Sequence, residues 1–142
     1  MKVAGICFTN AGMELSERII ELFGTLPGEK AEVSWYCKGK KLDLAAHPAF
    51  LPVTEGLQSW AAKHFLDRDV LTFVGAAGIA VRAIAPYVKD KRMDPAVLVL
   101  DERGQFCIPL LSGHIGGANE AALWMERELG CRAVLTTATD VN

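Results

Sequence analysis

The sequence predicts a three-layer α/β fold: a mostly parallel sheet with helices on both faces and one antiparallel hairpin. Three observations carry this expectation. Short, continuously apolar runs such as Val70 to Val74 read as strands buried on both faces. These runs alternate with segments of helical period, the pattern of a parallel sheet with helical crossovers. Near the end, Asp101-Glu102-Arg103-Gly104 separates two apolar runs too closely for a helix, which marks a hairpin with Gly104 at a left-handed position.

Each element follows from local chemistry. Val3 to Phe8 reads as a buried strand. Leu15, Ile19, Leu22 and Phe23 then recur at helical spacing, and Gly24 closes that helix. From Ala31 to Cys37, Val33, Trp35 and Cys37 alternate with Glu32, Ser34 and Tyr36, a second strand. Lys38 to Pro52 is irregular, broken by Gly39, Pro48 and Pro52. Thr54 is placed to cap a helix whose Leu57, Trp60, Ala61, His64 and Phe65 share one face. Val70 to Val74 leads through Gly75-Ala76-Ala77-Gly78 into a helix from Gly78 to Val88, limited by Pro86. Val97 to Leu100 and Phe106 to Leu111 flank the hairpin, and Ser112 to Gly117 makes a glycine-rich turn. Ala118, Ala121, Ala122, Met125 and Leu129 line a last helix, and Ala133 to Thr137 is a final strand. The predicted order is β-α-β-α-β-α-β-β-α-β, with no internal repeat.

Composition bounds the function. At 142 residues, 51% hydrophobic and 23% charged, the chain is long enough for one α/β domain over 1–142. Its 15 basic against 17 acidic residues, a net charge of -2, argue against a nucleic-acid partner held through phosphates. No uncharged stretch is long enough to span a bilayer, so no membrane association is expected. Met1-Lys2 leads directly into a strand rather than a signal peptide. Cys7, Cys37, Cys107 and Cys131 are scattered without a Cys-x-x-Cys pair, which suits a reducing, cytoplasmic protein. The polar run from Thr136 to Asn142 begins a further loop, so the chain is expected to be the N-terminal part of a longer protein.

In open α/β sheets, ligands bind beyond the carboxyl ends of the strands. Four such ends carry turn chemistry: Thr9 to Gly12, Gly75 to Gly78, Ser112 to Asn119, and Thr136 to Asp140. Substrate-binding candidates are therefore Asn10, Gly75, Ala76, Ala77, Gly78, Arg82, Ser112, Gly113, Gly116, Gly117, Asn119, Thr137 and Asp140. Glycine lets backbone N–H groups approach a ligand, and a following helix N-terminus favours an anion. Equally, the glycines could simply make tight turns. Neither loop matches a P-loop or dinucleotide fingerprint. Arg82 is the charge in an otherwise apolar helix, which predicts that it is buried with an internal Asp or a ligand carboxylate as partner. His114, in a turn with no packing role, either contacts the ligand or stabilises the turn by a hydrogen bond. Ser112 lies two residues from it, but the Gly-x-Ser-x-Gly elbow is missing, against a Ser–His nucleophile pair. His64 reads as a core histidine. His47 lies in the irregular loop and points to no role. No spacing of His, Cys, Asp and Glu suggests a metal site.

Three stretches carry a resemblance. GAAGIAVRAIAP at 75–86, DPAVLVLDERGQFCIPLLSGHIGGANE at 94–120 and TTATD at 136–140 resemble the CbiG family of anaerobic cobalamin biosynthesis, the cobalt-precorrin-5A hydrolases. The likeness runs over a glycine-loop core from about residue 71 to 140 and is less specific before it. It implies opening of a δ-lactone on a cobalt tetrapyrrole and release of acetaldehyde to give cobalt-precorrin-5B. It also implies that cobalt belongs to the substrate, with no cofactor of the protein's own, and that other enzymes of the same pathway are possible partners. Lactone opening needs an activated water and donors for an oxyanion. His114, as base or proton shuttle, and Glu120 are the catalytic candidates, with backbone N–H groups near Gly116 and Gly117, or near Ala76 and Ala77, as donors. Equally, Glu120, three residues after Gly117, could simply favour the helix start. Family members are longer, so the alternative is a non-catalytic domain that binds tetrapyrrole carboxylates or a partner while the remainder does the chemistry.

Overall fold

A computed structural model describes residues 1–27, 31–113 and 116–138. Seven strands form one sheet: β1 (Lys2–Cys7), β2 (Glu32–Cys37), β3 (Leu51–Pro52), β4 (Val70–Val74), β5 (Ala96–Leu100), β6 (Phe106–Leu111) and β7 (Arg132–Ala133). Their spatial order is β3-β2-β1-β4-β5-β6-β7. All neighbours pair in parallel except β5 and β6, which form the expected hairpin. Gly104 adopts φ +70 there, and the Asp101 carboxylate accepts from the backbone N–H of Phe106 at 2.7 Å. The helices are α1 (Asn10–Phe23), α2 (Leu57–Phe65), α3 (Ala77–Ile84) and α4 (Ala118–Leu129).

The two-residue period of the strands divides the core. Val3, Cys7, Trp35, Val74, Leu98 and Leu100 face α1 and α4. Ala4, Ile6, Leu71, Phe73, Val97 and Val99 face α2 and α3. Gly5 belongs to the first set. The Trp35 indole lies over it so closely that a Cβ would sit 2.2 Å from Cε2.

Four expectations are corrected. β3 forms where the sequence reads as irregular, because Leu51 and Pro52 pair with Tyr36 and Cys37 in space and present no apolar run of their own. α2 begins at Leu57 behind Gly56, with no side-chain cap from Thr54, since Val53 is still tied to the sheet by its N–H on the Cys37 carbonyl. The last strand pairs at Arg132 and Ala133, with one further hydrogen bond from Val134 N–H to the Cys107 carbonyl at 3.0 Å, rather than running through Thr137. α3 ends at Ile84 and continues as a 3₁₀ turn over Ala85–Tyr87, where Pro86 sits.

All four cysteines are free and buried. Burial pushes the Cys7 and Cys107 thiols up to about 12, so they behave as small hydrophobes rather than nucleophiles. Among the described residues, no helix is long and apolar enough to cross a membrane.

Candidate functional site

The loops singled out by the sequence fall on two opposite edges of the sheet. At the carboxyl edge of the parallel strands lie the starts of α1 and α3. Thr9 caps α1: its Oγ1 accepts from Gly12 N–H at 2.9 Å and donates to Glu102 Oε2 at 2.6 Å. Asn10 has both amide atoms engaged by the next loop, with Nδ2 donating to the Lys41 carbonyl at 3.2 Å and Oδ1 accepting from Asp43 N–H at 2.9 Å. Gly75 donates its N–H to the Leu100 carbonyl at 2.8 Å, and a Cβ there would press on the Phe8 ring at 3.0 Å. Ala76 precedes α3 and leaves the first-turn N–H groups of Ala77 and Gly78 without a capping side chain.

Arg82 is exposed, not buried. α3 is only eight residues long and buries Ala80, Ala83 and Ile84, so the opposite face of small residues and Arg82 stands in solvent. The guanidinium folds back along the helix, its Nη1 3.3 Å from where a Cβ of Gly78 would be. An internal Asp partner is therefore unnecessary.

The second cluster lies at the amino edge. β6 runs antiparallel, with Leu111 opposite Val97, so its carboxyl end meets the amino ends of β4 and β5. β7 runs with β6 and delivers Thr137 to the same edge. Ser112 turns the chain with φ +58, and its Oγ donates to the Asp94 carbonyl at 3.3 Å. The Ser112 and Gly113 carbonyls accept from the N–H groups of Ala118 and Asn119 at 3.2 and 2.8 Å, folding the glycine loop onto the start of α4. A Cβ on Gly116 would meet that of Ser112 at 2.4 Å, and Gly117 holds φ +86. Asn119 is buried and donates from Nδ2 to Thr137 Oγ1 at 2.9 Å. Ser112, Gly113, Gly116, Gly117, Asn119 and Thr137 are thus brought together. His114 and Asp140 lie outside the described residues.

Beside this loop is a groove of about 650 Å³. Gly116, Gly117, Glu120, Trp124 and Arg127 form one wall, Phe23 and Leu26 at the end of α1 the other, and Val70 lies between. Sequence reasoning missed Trp124 and Arg127. The signal was present in the spacing Glu120, Trp124, Arg127, which places all three on one stripe of α4. The sheet separates the two edges by roughly 16 Å, five strand residues at about 3.3 Å each. Among the described residues, no compact reacting centre can use both glycine loops.

The other histidines are accounted for. His64 packs against Tyr36 and Trp60, with ring centroids at 4.9 and 4.8 Å. Burial, reinforced by Arg68, holds its pKa below the ordinary value, so the ring is neutral. His47 bonds through Nδ1 to Glu17 and ties the 38–50 loop to α1.

Comparison with known proteins decides the family. The family described as cobalamin synthesis G N-terminal matches residues 59–140, from α2 through both glycine loops. The chain belongs to the CbiG N-terminal family. The cobalt-precorrin-5A hydrolase of Salmonella typhimurium is 41% identical over 140 residues, which is 99% of this chain and 36% of that protein. The cobalt-precorrin-5A hydrolase of Priestia megaterium is 49% identical over 72 residues, 51% of this chain and 19% of that protein. The chain thus spans about a third of the first relative and less of the second. A crystal structure of a candidate cobalamin biosynthesis protein G homolog from Sulfolobus solfataricus superposes with a TM-score of 0.68 over 99% of this chain and 39% of that one. At 22% identity it shows that this CbiG N-terminal chain shares its fold.

Proposed function

We propose that this chain is the N-terminal portion of a cobalt-precorrin-5A hydrolase of cobalamin biosynthesis. The observation that carries the reading is the alignment of 99% of the chain with the Salmonella hydrolase at 41% identity. In the proposed reaction, water adds to the δ-lactone carbonyl of the cobalt tetrapyrrole and the acyl C–O bond breaks to give a carboxylic acid and a freed hydroxyl. The C–C bond joining that carbinol carbon to the macrocycle then breaks, a proton moves from the hydroxyl to the macrocycle, and the two-carbon fragment leaves as acetaldehyde to give cobalt-precorrin-5B. Cobalt arrives with the substrate. Glu120 and His114 are the acid–base groups, and the N–H groups around Gly116 and Gly117 are donors for the developing oxyanion. Reduced, buried thiols suit a cytoplasmic setting.

The test is anaerobic incubation with cobalt-precorrin-5A and an assay for acetaldehyde. Release above a no-protein control, abolished by His114→Ala, supports a complete centre within this chain. Binding by folded protein without release supports the second reading, a substrate-docking or partner-docking domain. The 36% coverage of the Salmonella relative favours that alternative. Neither binding nor release would refute both.

A further inference from the structure

We propose that the amino-edge groove is a tetrapyrrole-binding surface in which the Trp124 indole lies against the macrocycle and the Arg127 guanidinium holds one of its peripheral carboxylates. The choice of ligand rests on the hydrolase reading; the geometry does not.

Glu120, Trp124 and Arg127 follow at intervals of four and three along α4 and face the same groove. Trp124 meets Phe23 edge to face, with centroids 5.3 Å apart and planes at 66°, and packs against the core below while remaining only partly buried. Trp35 and Trp60, by contrast, are 2% and 1% exposed. A part-exposed indole on the wall of an apolar groove offers a flat ring a stacking surface. Arg127 is exposed and has no ion-pair partner among the described residues, whereas Lys63 and Arg68 each have a carboxylate within 3 Å. Its planar fork matches a carboxylate in two hydrogen bonds.

The groove is also polarised. Glu120 and Arg127 stand roughly 10 Å apart along the axis of α4, seven residues at 1.5 Å each. A bound polycarboxylate is drawn to the Arg127 end and repelled from the Glu120 end. The rim favoured at Glu120 is therefore one with fewer free carboxylates, as where a lactone ties one of them up. At about 650 Å³ the groove takes one edge of a tetrapyrrole rather than the whole ring.

The test uses uroporphyrin, a metal-free polycarboxylate porphyrin without a lactone, followed by its own fluorescence anisotropy. Trp124→Phe and Arg127→Glu are expected to weaken binding about tenfold or more, the scale of one charge-assisted contact or stacked ring. Arg103→Glu, on the hairpin at the opposite edge, is the control and should bind as wild type. Far-UV circular dichroism establishes that each variant is folded. Wild-type affinity in both Trp124→Phe and Arg127→Glu overturns the proposal, as does equal weakening by Arg103→Glu. Failure of the hydrolase reading is distinguishable. Arg127-dependent uroporphyrin binding with no acetaldehyde from cobalt-precorrin-5A upholds the groove and refutes a complete catalytic centre within this chain. Acetaldehyde release with KM unchanged in Arg127→Glu does the reverse.

Discussion

Gly5 sits in the middle of β1 opposite Trp35, and replacing it with Ala drives a methyl group into the indole. The new Cβ would lie 2.2, 2.3 and 2.4 Å from Cε2, Cζ2 and Cδ2 of Trp35. Ordinary carbon contacts are about 3.5–4.0 Å, so the ring must withdraw by more than about 1 Å. It has nowhere to go: Trp35 is 2% exposed and belongs to the core under α1 and α4. Overpacking of this kind costs about 1–3 kcal/mol, and the contact with three rigid ring atoms places Gly5→Ala near the top of that range. At about 2–4 °C per kcal/mol the melting midpoint falls by roughly 6–12 °C. Urea unfolding followed by far-UV circular dichroism measures the cost. The decisive comparison is the double variant with Trp35→Phe, which alone creates a small cavity but leaves room for the methyl. The two changes should together cost at least about 1 kcal/mol less than their sum. Additivity, or a Gly5→Ala protein within about 0.5 kcal/mol of wild type, would refute the packing argument.

Three further outcomes follow from single sites. His64 has a lowered pKa in the folded chain, where Arg68, Lys63, Asp67 and Glu55 surround it, so below its unfolded value of 6.5 the unfolded chain binds the extra proton. Stability should therefore drop as pH falls from 7 towards 5, by up to about 1.4 kcal/mol per pH unit, and a His64→Phe variant should show a shallower slope in pH-dependent urea melts. Thr9→Ala loses both the cap on Gly12 N–H and the bond to Glu102 and should cost about 1 kcal/mol, with Thr9→Ser recovering most of it in thermal melts. Gly116→Ala forces its Cβ to 2.4 Å from that of Ser112, so the loop must open; uroporphyrin binding should weaken even where circular dichroism shows the fold intact, and unchanged binding would detach this loop from the groove.

Most of the fold was legible because burial on both faces leaves a plain trace. β1, β4 and β5 are continuous apolar runs, β2 shows as Val33, Trp35 and Cys37 alternating with Glu32, Ser34 and Tyr36, and Gly104 announces the hairpin that leads into β6. β3 left no trace, since two residues gain their strand character from Tyr36 and Cys37 rather than from their own side chains. Arg82 misled for a related reason. An apolar helix reads as buried all round, but the apolar residues of α3 are mostly small, and covering one face of a sheet needs only Ala80, Ala83 and Ile84. The site was legible as residues but not as a place. The rule that ligands sit beyond strand carboxyl ends assumes parallel strands, and the same hairpin that the sequence announces reverses β6 and β7. Ser112 to Asn119 and Thr137 therefore share the amino edge, away from Asn10 and Gly75.

That reversal yields a discriminating experiment on the two arginines. Arg82 belongs to the carboxyl edge and Arg127 to the amino edge, with the sheet between them, so one bound macrocycle cannot lie against both within a single chain. Charge reversal at each site separates the two edges. Arg127→Glu should raise the dissociation constant for uroporphyrin by about tenfold and steepen no other property, while Arg82→Glu should leave it within a factor of about two. Rising ionic strength should weaken wild-type binding and have a smaller effect on Arg127→Glu, because the contact that salt screens is already gone. The opposite ranking, with Arg82→Glu the damaging change, would move the binding surface to the uncapped start of α3 at Ala77 and Gly78 and would refute the groove. The ranking of the two reversals thus assigns the edge, independently of whether this chain opens the lactone.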